Sequence, residues 1–196
     1  MENTPNQLID NCSQKIVVLR WGHRIHRDSR LTTHCALTAR AMCASGFILA
    51  DIEDKSIEKT VQGITKHWGG DFTFQMGLNW RSVIRDWKNK GGIVVHLTVY
   101  GENIQTSNAL SRIRETGKNI LLLIGSQKVP GEFYSTEISD FNIGVGNQPH
   151  SECSALAIFL DRFFEGKELT VDFEKAEVKI IPQQHGKNIK VNEEKT

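Results

Sequence analysis

The stretch Leu121-Leu122-Leu123-Ile124-Gly125-Ser126-Gln127-Lys128-Val129-Pro130 decides the fold. It opens as an apolar run of strand length, stops at a glycine, turns through polar residues and meets a proline. The pattern returns in Phe141-Asn142-Ile143-Gly144-Val145-Gly146-Asn147-Gln148-Pro149-His150-Ser151, and each copy leads into helical spacing. Strands that end in glycine-bounded loops before helices are where α/β proteins hold small molecules, at the carboxyl ends of the strands. Two such loops predict one pocket with two walls.

Working outward, further apolar runs predict strands over 15–20, 47–50, 72–76, 93–100, 118–124 and 140–145. Helical spacing predicts helices over 33–45, 54–67, 79–90, 103–115, 130–138 and 151–164. Residues 21–32 read as a polar loop turning at Gly22, with Thr32 or Thr33 as the N-cap of the next helix and Gly46 as its stop. Residues 171–180 read as a last edge strand. The alternation of strand and helix predicts an α/β fold with a mostly parallel sheet and helices on both faces. Residues 1–182 are expected to form one domain, in which 54–90 could be a helical elaboration beside the sheet. Residues 1–14 look irregular, and the polar stretch 183–196 is expected to be a mobile tail.

Composition bounds the function. The 196 residues carry 24 Lys and Arg against 23 Asp and Glu, so net charge argues for no particular partner. No apolar run approaches the roughly 18 residues of a membrane span, and the polar start has no secretory core. A cytoplasmic protein is the expectation, with Cys12, Cys35, Cys43 and Cys153 as free thiols, since no CxxC spacing occurs.

Charge is unevenly placed, however. Arg20, Arg24, Arg27, Arg30 and Arg40 fall within 21 residues, with His23, His26 and His34 among them and Asp28 as the only acid. Such a face, with Trp21 in it, suits phosphate contacts and base stacking, although a solvated basic face reads the same way. Arg40 interrupts an apolar helical segment, so it must be paired or point into a pocket. His23 and His26 with His34 lack the ligands that would complete a metal site, and none is expected. The segment from Gly144 to Pro149 begins like a dinucleotide fingerprint but has Pro in place of the third glycine. Its neutral Asn147, Gln148 and Ser151 suit a nucleoside better than a pyrophosphate.

These residues resemble the archaeal tRNA cytidine-56 2′-O-methyltransferases, a branch of the SPOUT methyltransferases. The resemblance rests on Val18-Leu19-Arg20-Trp21-Gly22-His23-Arg24 with Arg27-Asp28 and Thr32-Thr33-His34; on Gly125-Ser126-Gln127-Lys128-Val129-Pro130; and on Val145-Gly146-Asn147-Gln148-Pro149-His150-Ser151-Glu152. It spans residues 15–187, with Trp21 as a departure in detail.

The resemblance implies a SPOUT-type sheet with a C-terminal trefoil knot, a topology otherwise nearly absent from proteins. It also implies a homodimer and S-adenosylmethionine held by the loops that contain Leu97, then Gly125, Ser126, Gln127, Lys128 and Val129. The third loop is Val145, Gly146, Asn147, Gln148, Pro149, His150, Ser151 and Glu152. The activity implied is methylation of the ribose of cytidine 56 in the TΨC loop of tRNA. The family motif carries an Asn and, six residues on, a catalytic Arg; here that spacing gives His34 and Arg40. Arg20 and Arg24 are further catalytic candidates. Arg is effectively never deprotonated, so a role at the developing alkoxide and the adjacent phosphate fits it better than proton abstraction. Competing readings are a non-catalytic RNA-binding protein on the same fold, and a SPOUT enzyme acting on another RNA position.

Overall fold

The structure is a computed structural model that describes residues 14–192. The irregular start expected over 1–14 falls outside these residues except for Gln14, as does the tail beyond 192. Six strands form one parallel sheet: β1 (Ile16–Trp21), β2 (Gly46–Ala50), β3 (Thr73–Leu78), β4 (Ile93–Asn103), β5 (Ile120–Gly125) and β6 (Phe141–Gly144). Their order is β3-β2-β1-β5-β4-β6, with every neighbouring pair parallel. The helices between them are α1 (Ile25–Ala41), α2 (Lys55–Trp68), α3 (Trp80–Asn89), α4 (Ala109–Glu115) and α5 (Glu152–Phe164).

Side chains alternate across each strand, so the central strands, apolar at nearly every position, feed two cores. Val18, Leu122 and Val95 face one side. There they meet Cys35 and Ala39 of α1, Ile57 of α2, Ile113 of α4 and Leu156, Phe159 and Leu160 of α5. Leu19, Leu121 and Leu123 face the other side, which is covered by Trp80 and Ile84 of α3 and by Phe133. The sheet thus has helices on both faces, four on one and one on the other.

The structure corrects several sequence boundaries. The predicted loop over 21–32 is mostly helix, because α1 starts at Ile25. Its first inward positions are Asp28 and Thr32, both buried. Asp28 accepts from the Arg24 side chain (Nε, 2.8 Å), and Thr32 Oγ1 lies 2.8 Å from His23 Nδ1. Polar residues fill a buried stripe, so the hydrophobic period is hidden. Arg24 is the N-cap, without a side-chain cap, and Thr32 and Thr33 lie inside the helix. Gly46 opens β2, and the helix stops before it, with Cys43 at positive φ.

The helix predicted over 103–115 begins only at Ala109. Pairing with β6 draws Glu102 and Asn103 into β4, and Asn103 Oδ1 accepts from the amides of Gln105 and Thr106. The helix predicted over 130–138 is a single 3₁₀ turn, Gly131–Tyr134. Residues 54–90 are no elaboration beside the sheet, since they hold edge strand β3 between α2 and α3. The strand expected over 171–180 shrinks to β7 (Val178–Ile180), which leaves the main sheet and pairs antiparallel with β8 (Ile189–Val191). Part of the expected tail is therefore ordered as a hairpin. Among the described residues no helix is long and apolar enough to cross a membrane.

Candidate functional site

The carboxyl ends of β4, β5 and β6 surround a cavity of about 230 Å³. Leu97, Thr98 and Val99 form one wall. Ile124, Gly125, Ser126 and Gln127 form the second, and Val145, Gly146 and His150 the third. The first turn of α5 closes the cavity with Glu152 and Ala155. These are the loops singled out by sequence.

Each loop is fixed by specific bonds. Ser126 N donates to Trp21 O at 3.0 Å, and Ser126 Oγ donates to Gly22 O, tying the β5 loop to the turn after β1. Asn147 Nδ2 donates to Val99 O at 2.8 Å, and Asn147 Oδ1 accepts from Asn103 Nδ2 at 3.0 Å, tying the β6 loop to β4. His150 Nε2 lies 2.6 Å from Val145 O and folds the loop back on itself. Ser151 caps α5 by accepting from Cys153 N. Gly125 permits the tight turn, since a Cβ there would lie 2.3 Å from Val129 Cγ1. Gly146 has φ +68, and a Cβ on it would meet nothing within 4 Å, so its backbone borders open space.

Among the described residues, Glu152 is the one ionisable carboxylate in this wall. It accepts from Arg20 Nη2 at 2.7 Å, and the Arg20 side chain is 0% exposed. Among the described residues Arg20 Nε and Nη1 have no hydrogen-bond acceptor at standard geometry. The nearby Cys35 thiol is pushed up to about 12, chiefly by burial, and so stays neutral. A buried cation thus backs a single carboxylate that faces the cavity.

The structure sorts the sequence-based candidates. Leu97, Gly125, Ser126, Gln127, Val145, Gly146, His150 and Glu152 line the cavity. Lys128, Gln148 and Pro149 do not line it, while Val129 packs on the opposite core, Asn147 braces two loops and Ser151 caps a helix. Thr98, Val99, Ile124 and Ala155 join the wall. Ile124 and Ala155 could have been found only from three-dimensional register, because each reads as ordinary core.

Arg40 stands apart from this cavity within the chain. It lies near the C-terminus of α1, about 22 Å along the helix axis from its first residue at 1.5 Å per residue. Its Nη2 donates to Gly69 O at 2.5 Å and its guanidinium sits over the Phe173 ring at 4.8 Å. It lines a different cavity, with Lys15, Ser45 and Phe173, at the amino ends of β1 and β2. The apolar helix demanded a partner for this cation; the C-terminal end of α2 supplies the acceptor and the C-terminal segment the ring. His34 lies exposed on α1 and makes no contact with the cavity wall. Arg24 stands at the carboxyl edge of the sheet, two residues from Gly22. Its side chain is half-buried and grips Asp28 through Nε (2.8 Å) and Nη2 (2.9 Å). That bond raises the Arg24 pKa and lowers that of Asp28. Among the described residues no cluster of three or more His, Cys, Asp or Glu could hold a metal.

Comparison with known proteins shows the family and the fold. The family described as tRNA ribose 2′-O-methyltransferase, aTrm56, matches residues 68–190. A tRNA (cytidine(56)-2′-O)-methyltransferase of Methanocella arvoryzae is 49% identical over 181 residues, covering 91% of this chain and 99% of the relative. The protein of that name from Methanocaldococcus jannaschii is 52% identical, covering 88% of this chain and 94% of the relative. Among solved structures, the AviRb SpoU methyltransferase of Streptomyces viridochromogenes, in complex with AdoMet, superposes with TM-score 0.54 at 13% identity, covering 79% of this chain and 58% of that one. The TrmH/SpoU tRNA modifying enzyme of A. aeolicus superposes with TM-score 0.53 at 17% identity, covering 84% and 85%. These likenesses place the fold among the SPOUT methyltransferases. By the family match and by near-half identity along almost its whole length, the chain belongs to the tRNA ribose 2′-O-methyltransferase family, aTrm56.

Proposed function

We propose that this protein transfers a methyl group from S-adenosylmethionine to the ribose 2′-oxygen of cytidine 56 of tRNA. The observation that carries the reading is the cavity of three mutually braced loops, in a chain about half identical to relatives bearing that name.

The residues present fit the cofactor. Leu97, Val99, Ile124, Val145 and Ala155 offer an apolar surface for a nucleoside, and the open side of Gly146 leaves backbone groups within reach. Glu152 offers a single negative charge to a cationic ligand. When bound, S-adenosylmethionine supplies an electrophilic methyl on a sulfonium. Arg20 holds the Glu152 carboxylate in place; being fully buried, it does not touch RNA. Arg24, oriented by Asp28 and always charged, is the candidate for stabilising the developing alkoxide or its neighbouring phosphate. The exposed Arg27, Arg30 and His34 extend a basic surface along α1 for phosphate contact. Positioning the 2′-oxygen opposite the departing sulfur supplies much of the acceleration in such a transfer.

A homodimer belongs to the same proposal. Helices α1 and α5 pack together and leave Ile25 (45%) and Ile158 (43%) exposed. Light scattering should give twice the 22.1 kDa of one chain. The trefoil knot, a single methyltransferase domain over 1–182 and a cytoplasmic location are carried forward with it. Mass spectrometry of nuclease-digested tRNA after incubation with protein and S-adenosylmethionine tests the function. Methyl on the cytidine 56 ribose is expected, and a transcript with 2′-deoxycytidine at that position should bind yet accept none. Methylation of a base, or of the deoxy transcript, would overturn the reading.

A further inference from the structure

We propose that Tyr100, backed by Tyr134, is the platform on which an unpaired tRNA base stacks beside the ribose being methylated; this rests on the tRNA reading above. Strand β4 pairs with β6 as Leu97 opposite Ile143, and pairing resumes with Glu102 opposite the same Ile143. Residues 98–101 are therefore extruded from the sheet. Thr98 and Val99 at the base of this bulge line the cofactor cavity. Tyr100 follows and is 82% exposed, the most exposed large apolar side chain among the described residues.

Single exposed apolar residues are common and need no explanation on their own. Here the exposed ring is also fixed. Asn147 Nδ2 donates to Val99 O at 2.8 Å and to Gly101 O at 3.4 Å, on either side of Tyr100. Gly101 lies so close to β6 that a Cβ would sit 2.5 Å from backbone atoms of Asn142 and Ile143. The Tyr134 ring meets Tyr100 at 6.0 Å and 69°, and itself meets the buried His96 ring at 5.2 Å. His96 Nδ1 lies 2.9 Å from Asn142 Oδ1, and Asn142 Nδ2 donates to Tyr134 O at 3.1 Å. A ladder of rings thus runs from the core to Tyr100, while the edge-to-face contact leaves most of the terminal ring open.

A rigid, uncovered aromatic ring next to a methyl-donor cavity suits one ligand chemistry. Unpaired RNA bases present flat π faces and are recognised by stacking on aromatic side chains, with little dependence on sequence. A stacked base would hold its nucleotide chain at the mouth of the cavity without hydrogen-bond readout. Tyr100 would then bind and position RNA, with no part in proton transfer.

The test compares Tyr100→Ala, Tyr100→Leu and Tyr100→Phe in the full-length protein with a tRNA transcript. Base stacking lost by alanine substitution predicts a rise of about tenfold in the KM for tRNA and in the Kd from filter binding. Leu should resemble Ala, because it keeps apolar surface but has no π face. Phe should stay within about twofold of wild type by the same stacking argument. S-adenosylmethionine affinity by calorimetry should be unchanged in all three. Wild-type tRNA affinity for the Ala variant, or a Leu variant as good as Phe, would overturn the platform. So would Ala-induced loss of cofactor binding or of the dimer, which would make Tyr100 a scaffold residue. If wild-type protein binds the transcript but transfers no methyl, the tRNA methylation reading fails while filter binding still decides the role of Tyr100.

Discussion

Replacing Glu152 with Ala removes the only carboxylate paired with a buried guanidinium among the described residues. Arg20 is fully buried, its Nη2 bonds Glu152 at 2.7 Å, and its Nε and Nη1 already lack acceptors. The neutral Cys35 thiol offers no second negative charge. Breaking a buried pair from one side costs about 3–5 kcal/mol, because the remaining charge is stranded. With Glu152 itself partly exposed, the lower half of that range, about 3 kcal/mol, is the better expectation. At about 2–4 °C per kcal/mol for a chain of this size, Tm should fall by roughly 6–12 °C. Thermal melts would measure the Tm shift and urea melts the free energy, both at fixed protein concentration, since any dimer makes stability concentration-dependent. Arg20→Met combined with Glu152→Gln should recover most of the loss, because neither charge is then stranded. Glu152→Ala within about 1 kcal/mol of wild type, where surface ion pairs lie, would refute the picture of a stranded cation. S-adenosylmethionine affinity should fall in both the single and the double variant, which separates the carboxylate's role in binding from its role in folding.

Three further outcomes follow from the same geometry. Gly125→Ala forces a Cβ to within 2.3 Å of Val129 Cγ1, so the β5 loop must shift and cofactor affinity by calorimetry should drop about tenfold or more, a change of about 1.4 kcal/mol; unchanged affinity would show the loop to be pliant. Arg40→Ala deletes the bond to Gly69 O and the Phe173 contact, and should cost about 2 kcal/mol in a denaturant melt while leaving cofactor affinity intact; weakened cofactor binding without a loss of stability would return Arg40 to the site. His23 and His96 are both held below the ordinary histidine value of 6.5, chiefly by burial. The unfolded chain therefore binds protons first on acidification, so stability is full above pH 6.5 and declines as pH falls from there toward the folded-state values. Thermal melts should show Tm dropping over that window, less steeply in His96→Gln; a Tm that rises on acidification would contradict it.

The strands and two of the three cofactor loops were legible because a buried parallel sheet needs unbroken apolar runs, and Gly125, Gly144 and Gly146 mark where those runs turn; the Leu97 loop came only with the family resemblance. The start of α1 was not, because Asp28 and Thr32 occupy its inward stripe and are satisfied by Arg24 and His23, partners that no period in the sequence reveals. Arg40 shows the opposite failure. The need for a partner was evident from its apolar surroundings, but the partner is Gly69 and Phe173, the latter more than a hundred residues away. Within one chain Arg40 therefore sits at the amino ends of β1 and β2, away from the cofactor loops. Asn147 and Ser151 sit in the expected loop, where their side chains brace backbone, a contact that their place in the sequence does not reveal. Tyr100 could not have been singled out at all, since the register shift that extrudes it depends on how β4 meets β6.

The strand order has a consequence for how the protein is made. Among the described strands β1 is made first, yet it lies in the middle of the sheet, and one of its flanks is completed only by β5, where Ile16 faces Ile120. At about 5–20 residues per second, roughly a hundred residues of further synthesis leave that flank of β1 open for about 5–20 s. The run Ile16-Val17-Val18-Leu19 is apolar and rich in β-branched residues, the composition most prone to pair with another chain. The nascent protein therefore carries an aggregation hazard in β1 until β5 is made. Chaperone demand should peak before residue 120 emerges and fall once β5 has closed over β1.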